Sequence, residues 1–85
     1  MNSSQVTAVL VGVIAPYIGQ NMARSAVEAH AASLGFATGP LADEQAEALV
    51  TKLGVGLNIF VGREKSARVV DEMRQALAEA KGGRS

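Results

Sequence analysis

The stretch that decides the fold is VTAVLVGVIAPYI, residues 6–18, because it is long, apolar and free of charge. It belongs to a charge-poor half, residues 1–42, in which only Arg24 and Glu28 are ionised. The other seven acids and seven bases lie in residues 43–85. A chain of 85 residues has little interior, so this half must be covered by the other half, by a second copy or by lipid.

Composition narrows the ways in which so small a core can be reinforced. The chain has no cysteine and a single histidine, so no disulfide, no zinc centre and no cofactor are expected. Oligomerisation is the remaining way to stabilise a core of this size, and we predict a homodimer or a larger closed oligomer. The net charge is zero, which argues against a nucleic-acid partner and permits self-association.

The apolar run 6–18 is also the candidate membrane segment. It covers 13 residues and contains Gly12 and Pro16, whereas a spanning helix needs about 20 residues. The residues before it lack the positive charge of a secretory signal. We therefore expect a cytoplasmic protein of bacterial type, with peripheral membrane attachment through Val6 to Ile18 as an alternative.

The secondary structure of residues 6–15 is left open by the pattern. Asn2 and Gln5 have the spacing of a capping box, which indicates a helix start. The residues that follow leave no polar face, as in a helix surrounded by protein, but their valine and isoleucine content also fits a buried strand. We predict a helix.

Pro16 is expected to interrupt this first helix. It lacks an N–H, and its ring crowds the carbonyl of Gly12, so the helix should end near Ile14 or kink there. An alanine-rich amphipathic helix follows and should end at Gly35. The predicted interface between copies lies on this half and consists of Val6, Val9, Leu10, Val13, Ile14, Ile18 and Met22.

The second half has the pattern of a helical hairpin, residues 43–81, after a linker at 36–42. Asp43, Glu44 and Glu47 are typical of a helix start rather than of a metal site. Gly54 and Gly56 interrupt its first helix and indicate close packing, which we assign to the alanine-rich second helix. The buried side of that first helix should comprise Leu49, Val50, Leu53, Leu57, Phe60 and Val61.

Together these patterns predict one all-α domain over residues 1–85: an apolar oligomerisation half at 1–35, the linker and the hairpin, and a frayed tail at 82–85. The bundle should have three main helices, with the first kinked or split at Pro16, and homo-oligomerisation should complete it. A weak internal echo places Tyr17-Ile18-Gly19 before one helix and Phe60-Val61-Gly62 before another.

Two features could carry chemistry. His30 titrates near neutrality, but its apolar neighbours favour a structural or interfacial role over catalysis. The sequence GREKSAR, residues 62–68, places Arg63, Lys65 and Arg68 at a helix start, where an anion or an acidic partner could bind. The simpler interpretation is a solvated face with local ion pairs such as Glu64 to Arg68.

The segment APYIGQNMA, residues 15–23, resembles part of a small helical domain that is appended to bacterial signalling proteins, including some serine/threonine kinases and response regulators. The series Leu49, Leu53, Leu57 and Phe60 is similar in type. Gln20 stands where that family commonly has proline. The resemblance implies a protein-interaction role in signalling or cellular organisation and carries over no catalytic residue.

The function predicted from the sequence is a non-enzymatic, homo-oligomeric interaction or scaffolding module, such as a signalling adaptor. Its partners would be copies of itself and another protein. The alternative is a small DNA-associated regulator that contacts phosphates through Arg63, Lys65, Arg68 and Arg74.

Overall fold

The computed structural model describes residues 1–82, which form four α-helices. They are α1 (Ser3–Ile18), α2 (Gln20–Ser33), α3 (Asp43–Val61) and α4 (Arg63–Gly82). The only β-type pairing in this range is an isolated bridge between Asn2 and Pro40. The all-α class is confirmed, and residues 6–15 are helical. Of the predicted frayed tail, Gly82 ends α4 and the rest lies outside the described residues.

The first half contains two helices, so residues 1–82 have four main helices rather than the predicted three, and α1 is not split at Pro16. Pro16 lies inside the last turn of α1, which continues to Ile18. Both Pro16 and Gly12 are exposed, so the carbonyl that loses its helical partner can meet water instead. The break is at Gly19, whose φ of 92° lies in a region that other residues rarely adopt.

Gly19 and Gly62 make equivalent helix-to-helix turns. The Gly19 N–H donates to the Ala15 carbonyl at 2.7 Å, and the Gly19 carbonyl accepts from Ala23 at 2.9 Å. Gly62 does the same between α3 and α4, with a φ of 84°. Residues 1–82 therefore form two helix–glycine–helix units, which is the arrangement that the internal echo suggests.

The four helices form a ring in which each helix packs on the next and α4 closes against α1. The core at the centre of the ring draws on all four helices. Its fully buried large side chains are Val6, Leu10, Ile14, Val27, Leu49, Val50, Val69 and Met73. The charge-poor half is thus covered by α3 and α4 of the same chain.

The connection between α2 and α3 is held to the start of α1. The Ser3 N–H donates to the Gly39 carbonyl, and the Leu41 N–H donates to the Met1 carbonyl, both at 2.8 Å. The buried Ser3 hydroxyl donates to the Phe36 carbonyl, also at 2.8 Å. These bonds fix where α3 begins, because Leu41 is buried two residues before it.

Helices α3 and α4 approach each other closely at Gly54. A Cβ placed there would lie 2.5 Å from Cγ2 of Val70 on α4. The Ser66 hydroxyl, also on α4, donates to the Gly54 carbonyl at 2.7 Å. The predicted partner for this glycine, α2, is therefore wrong, whereas Gly56 does face His30 of α2.

Charged side chains tie α3 to α4 along the solvent edge. Arg74 donates to Glu47, with an Nη2 to Oε2 distance of 2.6 Å, and Lys81 donates to Asp43. The hydrogen bond from Arg74 lowers the pKa of Glu47. These ion pairs are exposed, so they contribute little to the free energy of unfolding. We assign them the role of fixing how α4 is oriented on α3.

Candidate interaction surface

Large apolar side chains are exposed on the outer face of α3. Val55 is 65% exposed and Ile59 85%, and they are one helical turn apart. Phe60 follows Ile59 in sequence but faces the groove toward α2, where it is 57% exposed, and Met22 on α2 is 48% exposed. The prediction that Phe60 is buried in the hairpin is therefore wrong. A single exposed apolar side chain is common on a protein surface, but Ile59 lies next to Val55, and adjacent exposed apolar side chains indicate a contact surface.

A shallow groove between α2 and α3 borders this surface. Its volume is about 50 Å³, and it is lined by Ile14, Ile18, Ala26, His30, Leu53, Gly56, Leu57 and Phe60. Met22 lies one turn before Ala26 on α2, which places it at the same border. His30 is the one lining side chain that can titrate.

The position of His30 in this groove explains why its pKa is lowered. Its Nε2 would lie 3.6 Å from a Cβ at Gly56, so the imidazole rests against α3. Partial burial lowers the pKa of His30 from its ordinary value of 6.5, and the nearby Lys52 ammonium lowers it further. The other lining residues are apolar and offer no nucleophile, acid or base, so the groove has the chemistry of a contact surface.

We expect acidification to destabilise the fold through His30. A histidine whose folded pKa is depressed favours the neutral form, so its stabilisation is full above pH 6.5 and is lost as the pH falls below that value. NMR titration of the single imidazole should give a midpoint below 6.5. Thermal melts should show a smaller loss between pH 7 and 5 in His30→Gln, and an equal loss would contradict this assignment.

The residues predicted to form the interface between copies differ widely in their exposure to solvent. Val6, Leu10 and Ile14 are buried in the core of a single chain. Their burial removes the reason for assigning them to an interface, because the chain's own helices already exclude water there. Three others, Val9, Val13 and Ile18, are half-buried, and Met22 alone reaches the exposed surface.

The basic side chains of GREKSAR lie at the Gly62 turn. Arg63, Lys65 and Arg68 are exposed around an open depression of about 360 Å³. Among residues 1–82, none of the three is in an ion pair, so the predicted Glu64 to Arg68 pair is wrong. Arg74 does not join them, because Glu47 holds its guanidinium.

Two other kinds of feature, a metal site and a membrane span, are absent from the described residues. Over residues 1–82, no group of three histidine or carboxylate side chains is placed to hold a metal ion. None of the four helices combines the length and apolar character required to cross a bilayer.

No known protein family, characterised protein or solved structure matches this chain.

Proposed function

We propose that this chain is a non-enzymatic protein-interaction module that assembles with copies of itself. The observation that carries the proposal is the exposed apolar pair Val55 and Ile59 on the outer face of α3, with Phe60 and Met22 also exposed toward α2. Exposed side chains of this size cost free energy in water, and burial against a partner recovers it. A second copy is the occupant we favour, since an exposed acid, Glu44, and an exposed base, Arg63, lie near the two ends of the outer face of α3.

The outer face of α3 is small for a stable interface, which favours a weak dimer over a tight one. A stable interface covers about 800 Å² on each partner. The 19 residues of α3 extend about 28 Å, so its outer face supplies part of that area, and Phe60 and Met22 extend it toward α2. We therefore propose a dimer of micromolar affinity, which would act as an adaptor or scaffold in a bacterial signalling or cell-organisation system.

Replacing Ile59 with aspartate should separate the copies without unfolding them. Ile59 is 85% exposed, so the change leaves the core intact and should alter the melting temperature little. Each dimer would lose two buried isoleucines and gain two desolvated carboxylates, so the dissociation constant should rise about a hundredfold or more. Sedimentation velocity over a concentration series measures this.

The matched control is Ser25→Asp, which adds the same charge to an exposed position on α2. It should dimerise like the wild type. The proposal fails if the wild-type chain is a monomer at high-micromolar concentration, or if Ile59→Asp and wild type dissociate alike.

A further inference from the structure

The outer face of α3 carries its charged and apolar residues in a definite order. Along this face lie Glu44, Ala48, Lys52, Val55 and Ile59, spaced by four, four, three and four residues. Such spacing keeps one stripe on the side of the helix opposite the core. The stripe begins with the acid Glu44. Its apolar side chains increase in size from Ala48 to Ile59, and it ends near the turn where the basic residues of α4 start.

The two ends of the stripe have no ion-pair partner among residues 1–82. Glu44 is exposed in the first turn of α3 and has no ion pair within residues 1–82. Arg63 follows the Gly62 turn at the other end of α3 and is likewise exposed and without an ion pair in that range. Within the described residues, one end therefore offers an unpaired carboxylate and the other an unpaired guanidinium.

The stripe is complementary to itself when it is reversed. Counted in residues, Glu44 and Arg63 are equally far from the midpoint between Leu53 and Gly54, and so are Ala48 and Ile59; Arg63 follows directly after the Gly62 turn at the end of α3. Lys52 and Val55 flank the same midpoint. An antiparallel copy placed on a two-fold axis at that midpoint would therefore bring acid against base and the small alanine against the large isoleucine.

We propose that two copies associate through the outer faces of their α3 helices in this antiparallel register, with Glu44 of each copy opposite Arg63 of the other. The proposal rests on the self-association proposed above and specifies its geometry. A parallel pairing would place Glu44 against Glu44 and Arg63 against Arg63, and like charges oppose it.

Lys52 is compatible with this arrangement. It is half-buried and lies one helical turn before Gly56, which faces His30 of α2, so Lys52 lies on the α2 edge of the face rather than at its centre. Long lysine side chains commonly cover apolar surface with the stem and keep the charge in water. The two ammonium groups of the dimer would then lie at opposite edges of the contact.

Charge reversal tests the register. Glu44→Arg would place two guanidinium groups together at both ends of its homodimer, and Arg63→Glu would place two carboxylates together at both ends. Each variant alone should associate about tenfold more weakly than wild type at low salt. In an equimolar mixture of the two, the antiparallel heterodimer pairs a guanidinium group with a carboxylate at both ends, so mixing the single variants should restore association to nearly the wild-type strength. The double variant Glu44→Arg with Arg63→Glu restores opposite charges at both ends, so it should dimerise with nearly the wild-type dissociation constant.

Sedimentation equilibrium of the single variants, their mixture and the double variant gives these constants. The effect should shrink in high salt, because both groups are exposed. Wild-type association without recovery in the double variant would overturn the register and leave the proposed self-association standing. A wild-type chain that stays monomeric would overturn both.

Cross-linking provides a second measurement that does not depend on charge. The chain has no cysteine, so Ala48→Cys and Ile59→Cys each introduce the sole thiol. Under mild oxidation the mixture should yield a disulfide between the two variants, whereas Ala48→Cys alone should yield little. A parallel pairing would instead link each variant to itself, and that result would overturn the proposal.

Discussion

Replacing Leu10 with alanine should lower the free energy of unfolding by about 3 kcal/mol, because it empties a fully buried site in the core. For a domain of this size that loss corresponds to a fall of about 15 °C in melting temperature. Thermal unfolding followed by circular dichroism measures it. The conservative variant Leu10→Met keeps the volume and should lose less than half as much.

The dependence of this loss on concentration distinguishes the two places that Leu10 could occupy. A mutation in the core of one chain lowers the free energy of unfolding by the same amount at all protein concentrations. A mutation at an interface between copies lowers it less once the copies have separated. We expect the same loss after a hundredfold dilution. A loss that disappears on dilution would contradict the structure and would support the interface predicted from the sequence.

Gly54→Ala should destabilise the protein by about 2 kcal/mol, although alanine is the better helix former. The added methyl would lie 2.5 Å from Cγ2 of Val70, so α3 and α4 would have to move apart, and overpacking of this kind outweighs the propensity gain. The separation would also stretch the buried hydrogen bond from Ser66 to the Gly54 carbonyl. Urea unfolding gives the free energy.

Two matched variants make this prediction specific. Gly12→Ala introduces the same methyl at an exposed helical position with open space around it, and should stabilise by up to about 1 kcal/mol. Val70→Ala should recover part of the loss when combined with Gly54→Ala, since it removes the atom that clashes. Equal effects at Gly12 and Gly54 would show that α3 and α4 are not in close contact.

Much of the fold could be predicted from local sequence signals. The capping box at Asn2 and Gln5 is present, with the Gln5 N–H donating to the Asn2 side chain at 2.8 Å. Local signals mislead at Pro16 and Gly19, where the glycine and not the proline ends the helix. Proline in a last, exposed turn costs one hydrogen bond that water can replace, whereas a glycine with positive φ reverses the chain.

The candidate surface was harder to predict, because a sequence does not show which helix covers which. The charge-poor half suggested an interface between copies, yet α3 and α4 bury it within one chain. Val55 and Ile59 share one face of α3 with Glu44 and Lys52, so the helical period already separates them from the predicted buried side. That this face meets no other helix follows from the ring arrangement, which leaves the outer face of α3 without a neighbour.

The central claim is that copies meet through the outer face of α3 and not through α1. Backbone amide NMR spectra recorded over a dilution series test it most directly, because each residue at the contact changes its chemical shift as the copies separate. We predict changes along α3 at Glu44, Ala48, Val55 and Ile59, with little change at Val9. Changes confined to α1, or spectra that do not vary with concentration, would contradict the claim.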